Sequence, residues 1–205
     1  MLPKTESGIR KRIQNYKSAF SKEKRKFGCY DDGYGKRYII FYLFYLLNND
    51  AESIKYFRWY KKNFNDDMGE PFQLLFWALI LKRMGKEKES RLKLAEHYQS
   101  NFYIIPKIIG KSVSEYKFWH SSNYEFIDYA NYGPPEVMEK ITPDEIEWLG
   151  EEYASDQFNK LRIKYIEIYS KLKREKNIEK RGGIIKEAGN LIDEIFGSVQ
   201  KEKQS

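Results

Sequence analysis

Residues 38–47 read YIIFYLFYLL and residues 74–81 read LLFWALIL, and these two apolar runs decide the fold. A helix that is apolar around its whole circumference has to be covered on every side. The helices expected to follow, residues 51–64 and 86–101, carry lysines and glutamates and can each cover only one face. We therefore predict two helical hairpins, residues 34–64 and 71–101, that stack as units of an all-α repeat array.

Large and small residues follow one another along the second hairpin in a specific order. They are Leu74, Trp77, Ala78, Leu81, Gly85, Ser90 and Leu94, after Pro71 at the helix start. This order resembles the repeat unit of the tetratricopeptide-repeat superfamily. The first hairpin matches in part: Ile40, Phe44, Asn48, Ser53 and Phe57 fit the pattern, and Arg37, Phe41 and Tyr60 depart from it.

The resemblance implies that the first helices of the two units line a concave groove. Its groove-facing positions are Tyr38, Tyr42, Tyr45 and Leu46 in the first unit, and Leu75, Leu79, Lys82 and Arg83 in the second. Tyrosine rings and a basic end suit a peptide or protein segment that carries a carboxylate. The alternative is that the N-terminal helix or residues 113–141 fill this groove, which makes the same residues part of the core.

Composition limits the function classes. The chain has 205 residues and 41% hydrophobic residues, enough for one helical domain and too many for a wholly disordered chain. Cys29 is the single cysteine, so an intrachain disulfide and a cysteine zinc site are excluded, and we expect neither metal nor cofactor. With no signal-like run after Met1 and no apolar run near ~20 residues, we expect a soluble, cytoplasmic protein and leave its oligomeric state open.

The net charge of +7 lies in the N-terminal part of the chain. Residues 1–37 hold 11 Lys and Arg against 4 acids, a difference of 7, and residues 38–205 hold 26 of each sign. Residues 4–26 predict an amphipathic helix with an apolar stripe of Ile9, Ile13, Tyr16 and Phe20, which we expect to cap the first hairpin. Alternatively, this helix binds nucleic acid or an anionic membrane through Arg10, Lys11, Arg12, Lys24, Arg25 and Lys26.

The remaining segments complete a single domain. Residues 1–30 form the basic helix, residues 31–110 the two hairpins, residues 111–141 an irregular aromatic-rich segment and residues 142–198 a C-terminal helical bundle. Asp31 or Asp32 is expected to cap the first hairpin, and residues 102–109 to begin a possible third unit. Thr142 and Glu145 predict a capping box, followed by helices over residues 156–174 and up to residue 196, with residues 175–183 between them.

One loop carries residue types that catalysis uses. Trp119, His120, Ser121, Ser122 and Asn123 are consecutive, and histidine with hydroxyl groups can supply a base and a nucleophile. Adjacent residues seldom point at one another, so we favour a loop histidine that satisfies backbone groups and expect no enzyme. His97 falls at a helix-packing position and is expected to be structural. The favoured function is therefore binding of a protein or peptide.

Overall fold

A computed structural model describes residues 1–30 and 32–197 of the chain. Within those residues it contains helices and no strands, so the predicted all-α class is confirmed. The α-helices are α1 (Glu6–Phe27), α2 (Lys36–Leu47), α3 (Asp50–Asn63), α4 (Pro71–Arg83), α5 (Glu87–Ser100), α6 (Ile104–Ile108), α7 (Pro135–Met138), α8 (Pro143–Ala154), α9 (Asp156–Arg174) and α10 (Ile178–Phe196). Two 3₁₀ segments, Asn123–Glu125 and Ile127–Asn131, lie between α6 and α7.

Helices α2 and α4 lie side by side at the centre of the molecule. The rings of Tyr45 and Phe76 are 4.7 Å apart between centroids, and those of Phe41 and Trp77 are 5.0 Å apart. All four side chains are buried. The packing of the two apolar helices against each other is therefore as predicted.

The second hairpin is closely packed because small residues face each other across it. The Ser90 hydroxyl donates a hydrogen bond of 2.9 Å to the Ala78 carbonyl oxygen, and both residues are fully buried. Gly85 has a φ of 69° at the turn, where a side chain would be strained. In the first hairpin a stacked ring pair, Phe41 and Phe57 with centroids 5.0 Å apart, fills the corresponding space.

Local capping residues fix where three helices begin. Thr142 and Glu145 form the predicted capping box of α8. Glu70 forms a second box at the start of α4, which the sequence analysis did not anticipate. At α2 the cap position is Gly35, and Asp32 accepts hydrogen bonds from the backbone N–H groups of residues 36 and 37 at 2.7 and 2.8 Å. Asp31 lies outside the described residues.

Helix α1 covers the outer side of the first hairpin. Ile9, Ile13 and Phe20 are buried, as the stripe predicted, and the Phe20 ring lies 5.4 Å from that of Trp59 on α3. Within the described residues, no helix combines the length and the apolar character needed to cross a bilayer.

Helices α9 and α10 form an antiparallel pair against the far side of α5. Gln157 donates to the Ile195 carbonyl at 3.1 Å, and Arg181 donates to the Leu172 carbonyl at 2.6 Å, near the two ends of the pair.

Two expectations are corrected. Helix α10 begins at Ile178, so the predicted linker 175–183 is mostly helical, because the Asn177 side chain caps the helix there and accepts a hydrogen bond from the Lys180 N–H at 3.0 Å. Residues 102–109 give only the five-residue α6 and no third hairpin. The tail after residue 197 lies outside the described residues.

Candidate binding cleft

The groove expected on α2 and α4 is part of the core. Tyr42 and Tyr45 are 7% and 3% exposed, and Leu75 and Leu79 are fully buried. A partner therefore has no access to these four side chains. The structure agrees with the alternative interpretation, in which the chain itself covers this face.

The cover is made by residues 129–148. The Tyr45 hydroxyl donates to a carboxylate oxygen of Glu145 at 2.6 Å and lies 3.1 Å from the Lys140 carbonyl oxygen. The Tyr129 ring packs on Phe72 with centroids 5.8 Å apart. The end of the irregular segment and the start of α8 thus occupy the place that the repeat resemblance would give to a bound peptide.

A buried carboxylate holds this cover in place. Glu70 accepts hydrogen bonds from the hydroxyl groups of Tyr42 and Tyr129, the latter at 2.6 Å, and from the backbone N–H groups of Phe72 at 3.0 Å and Gln73 at 2.8 Å. Burial, followed by the charge of Glu70, raises the pKa of the Tyr129 hydroxyl. Both oxygens are occupied by the protein, so Glu70 serves the fold.

The remaining residues of the expected groove lie at its rim and are bound to neighbours. The Tyr38 hydroxyl donates to Asp67 at 2.8 Å. Lys82 pairs with Glu87 at 2.9 Å. Arg83 lies 3.5 Å from an Asp50 carboxylate oxygen and over the Tyr45 ring, 4.7 Å from its centroid.

The loop of residues 119–123 contacts α9 and the 3₁₀ segment Asn123–Glu125. Trp119 stacks on Tyr169 with centroids 6.1 Å apart, and Ser121 donates both its hydroxyl and its backbone N–H to Glu125. His120 Nδ1 lies 3.6 Å from Glu125, between two phenylalanine rings, and the neighbouring Asn123 is exposed. The Ser121 hydroxyl donates to the same carboxylate that lies beside the imidazole, so these contacts hold the loop in place.

The basic residues of α1 divide into two groups. Arg10 pairs with Glu6 at 2.9 Å and with Glu52 at 3.2 Å. Arg12 contacts the Tyr16 hydroxyl at 3.3 Å, and Lys11 is exposed. Lys24, Arg25 and Lys26 are exposed on the last turn of the helix. Among the described residues, Lys11, Arg12, Lys24, Arg25 and Lys26 form no ion pair, and three of these five cations lie on the last turn of α1.

An open cleft lies on the other side of the two hairpins, between their second helices. Its volume is about 830 Å³. Helix α4 forms the floor, α3 and α5 form the walls, and α10 closes one end. The lining residues are Ile54, Phe57, Arg58 and Lys61 from α3, Trp77 and Leu81 from α4, Lys86 at the N-cap of α5, Glu89, Leu92, Lys93 and Glu96 from α5, and Ile192 and Asp193 from α10.

The centre of the floor is an aromatic ring flanked by two ammonium groups. The Nζ atoms of Lys61 and Lys93 lie 5.4 and 4.4 Å from the centroid of the Trp77 ring, one from each wall. Such placement is favourable for a cation over an indole. Burial and, after it, the charge of Lys93 lower the pKa of Lys61. An anion placed here would reduce the repulsion between these two groups.

The charges on the cleft walls are not fully compensated. Lys93 pairs with Glu96, and Lys86 pairs with Glu89 at 3.3 Å. Within residues 1–30 and 32–197, Arg58 and Lys61 form no ion pair. The α3 wall is therefore positive, beside an apolar floor.

The cleft has the dimensions of a short helix. Its α3 wall runs over residues 54–61 and its α5 wall over residues 86–96. At 1.5 Å per residue these walls are about 10 and 15 Å long. A bound helix would therefore contact the cleft over about two to three turns.

Comparison with known proteins gives no relative: no family model, no curated protein and no solved structure matches this chain. Among the described residues no group of three or more His, Cys, Asp or Glu side chains is placed to hold a metal ion.

Proposed function

We propose that the protein is a non-catalytic interaction module that binds a short acidic segment of a partner protein in the cleft between α3 and α5. One observation carries the proposal: Trp77 lies at the floor of the open cleft, with Lys61 and Lys93 on either side of its ring. Grooves that accept an amphipathic helix combine an apolar floor with charged walls in this way.

We also propose that the two hairpins are tetratricopeptide-like units. The contact between Ser90 and Ala78 supports this, because both occupy positions where the repeat pattern has small residues. The binding face then differs from the one that the resemblance implies. It lies along the second helices of the units, α3 and α5, since residues 129–148 occupy the face of the first helices.

The expected mode of binding is a helix in a groove. Apolar side chains of the partner at positions i, i+3 or i+4, and i+7 would contact Ile54 and Ile192, the partly exposed apolar residues of the cleft. Trp77, Leu81 and Leu92 are 3, 5 and 7% exposed and form the floor beneath them. Carboxylates on one edge of that helix would face Arg58 and Lys61 on the α3 wall. The apolar anchors supply most of the affinity, while the charges select the partner and its orientation.

The test is to select peptides that bind the protein from a random library of about 15 residues in length. Such peptides are long enough to form the helical turns that the cleft accommodates. We expect enrichment of amphipathic sequences with Asp or Glu on one edge of the apolar face. A selected peptide is then titrated by fluorescence anisotropy. Arg58→Glu combined with Lys61→Glu is expected to weaken binding about tenfold or more, because attraction on the α3 wall becomes repulsion.

The matched control reverses the same amount of charge elsewhere. Lys171 and Lys173 are exposed on α9 and do not line the cleft. Lys171→Glu with Lys173→Glu should leave the affinity unchanged. Selection of basic peptides, or equal weakening by the two double variants, would show that the cleft is not the site.

A further inference from the structure

A second, smaller pocket of about 270 Å³ lies between α1 and α3. It opens on the side of α3 opposite the cleft, because residues 55, 56 and 59 line it while residues 54, 57, 58 and 61 line the cleft. Its lining residues are Lys17, Ser21, Tyr30, Lys55, Tyr56 and Trp59. The pocket therefore has aromatic walls and two lysines.

The aromatic walls are held rigidly by packing. Trp59 stacks on Tyr56 with centroids 5.3 Å apart, and its ring meets the edge of Tyr30 at the same distance and an angle of 72°. Phe20 supports Trp59 from α1, with centroids 5.4 Å apart. Trp59 and Tyr30 are partly exposed, so they offer fixed ring surface to a ligand. Flat aromatic ligands, including nucleobases, stack on such surfaces.

The two lysines lack acidic partners. Within the described residues, neither Lys17 nor Lys55 forms an ion pair. Burial lowers the pKa of Lys17, and the charge of Lys55 lowers it further, whereas Glu52 raises it. The Glu52 carboxylate is bound to Arg10 at 3.2 Å. The pocket therefore presents two ammonium groups that a phosphate can bind.

The basic surface continues from the pocket along α1. The Nζ atom of Lys24 lies 5.2 Å from the centroid of the Tyr30 ring, at the pocket edge. Lys17 and Lys24 are about 10 Å apart along the helix axis. A stacked strand of nucleic acid carries one charge per about 3.4 Å, so this distance spans about three nucleotides. The exposed Arg25 and Lys26 extend the same charge toward the end of the helix.

We propose that this pocket and the adjoining face of α1 bind single-stranded nucleic acid, with a base against Trp59 and Tyr30 and phosphates on Lys17, Lys55 and Lys24. A single strand fits better than a duplex, because only unpaired bases offer their faces to an aromatic pocket. It fits better than a membrane, because the rings line a recess, whereas membrane anchoring requires apolar groups that project into the lipid.

The probe is a fluorescein-labelled oligothymidylate of about 12 nucleotides, titrated by anisotropy in about 25 to 300 mM KCl. Three phosphate contacts predict a slope of log K against log salt of about −2, from about −0.7 per contact on a single strand. Lys17→Gln with Lys55→Gln should reduce the slope to about −0.7. Lys171→Gln with Lys173→Gln, the matched pair on α9, should leave both slope and affinity unchanged.

The aromatic part of the site is tested separately. Trp59→Phe keeps a ring for stacking, and Trp59→Leu removes it; we expect the leucine variant to bind about 5- to 150-fold more weakly than the phenylalanine variant. Thermal unfolding followed by circular dichroism identifies any loss of fold in these two. The surface Lys→Gln variants keep the test decisive if either tryptophan variant unfolds.

Three results would overturn the proposal: no binding of the oligothymidylate at the lowest salt, binding that the α9 pair weakens as much as the Lys17 and Lys55 pair does, or equal affinity for inorganic polyphosphate, which has no bases. Binding to vesicles that contain phosphatidylserine is measured as well. Binding to vesicles without binding to the oligothymidylate would assign the basic face to a membrane and also contradict the proposal.

Discussion

The buried histidine on α5 predicts that the protein loses stability in mild acid. His97 is fully buried, with Nδ1 2.8 Å from the Pro71 carbonyl oxygen, to which it donates when protonated there. Its Nε2 atom is buried and has no hydrogen-bond partner within residues 1–30 and 32–197. Burial lowers the pKa of His97 to about 4, from an ordinary value of 6.5.

The magnitude follows from the difference between these two pKa values. Between pH 6.5 and about 4 the unfolded chain binds a proton at this residue and the folded chain does not. The free energy of unfolding is therefore unaffected above this range and decreases as pH falls through it. The full loss is about 3 kcal/mol, at about 1.36 kcal/mol per pKa unit, and about 2 kcal/mol of it is present at pH 5.

The assay compares the wild type with His97→Asn, whose amide keeps a donor for the Pro71 carbonyl and does not titrate. Urea unfolding followed by circular dichroism gives the free energy of unfolding at several pH values from about 7.5 to 4.5. The variant starts less stable because its side chain is smaller, but the difference should narrow by about 2 kcal/mol by pH 5. Parallel curves over this range would refute the assignment of acid sensitivity to His97.

Three further changes test the cover and the helix starts. Gly133→Ala should lower the free energy of unfolding by about 1 to 3 kcal/mol in urea titrations, since the new methyl group would lie 2.7 Å from the Phe72 ring; an unchanged midpoint would contradict this close approach. Glu70→Ala should cost about 3 to 5 kcal/mol, because buried donors including the Tyr129 hydroxyl lose their acceptor, and a loss below 1 kcal/mol would contradict this role. Thr142→Ala should cost about 1 kcal/mol through the cap of α8, measured by thermal unfolding, with Thr142→Ser as the neutral comparison.

Helix positions were predictable where the signals are local. The predicted ranges 51–64, 86–101 and 156–174 agree with α3, α5 and α9 to within one residue. Pro71 suits the first position of a helix and Thr142 suits a cap whatever the rest of the chain does, because both act within one turn. Apolar runs likewise showed that α2 and α4 are buried, since burial is a property of the run itself.

What covers each face was not predictable, because it depends on contacts between distant residues. Tyr129 belongs to a segment without helical periodicity, and nothing local indicates that its hydroxyl meets a carboxylate 59 residues earlier. On α8 the apolar residue Ile146 is 36% exposed, whereas Trp148 is buried beneath Lys82. The rotation of that helix is set by the packing of its aromatic side chain.

The cleft was missed for the same reason. Arg58 and Lys61 follow the pattern of a solvated helix face, which is what the sequence analysis assigned to α3. The cleft exists because α3 and α5 both pack on α4 and leave Trp77 between them, and because α10 closes the end. The available signal was the pair Phe57 and Lys61, an aromatic ring and a cation one turn apart, and it is too common to single out a site.

The most direct test of the account is to find which surface a bound peptide touches. A ¹⁵N-labelled sample is titrated with an acidic helical peptide from the selection, and backbone amide shifts are mapped onto the chain. We expect the largest changes in residues 54–61 and 86–96 and at the indole N–H of Trp77. Changes concentrated in α2 and residues 129–148, with those two stretches unaffected, would contradict it.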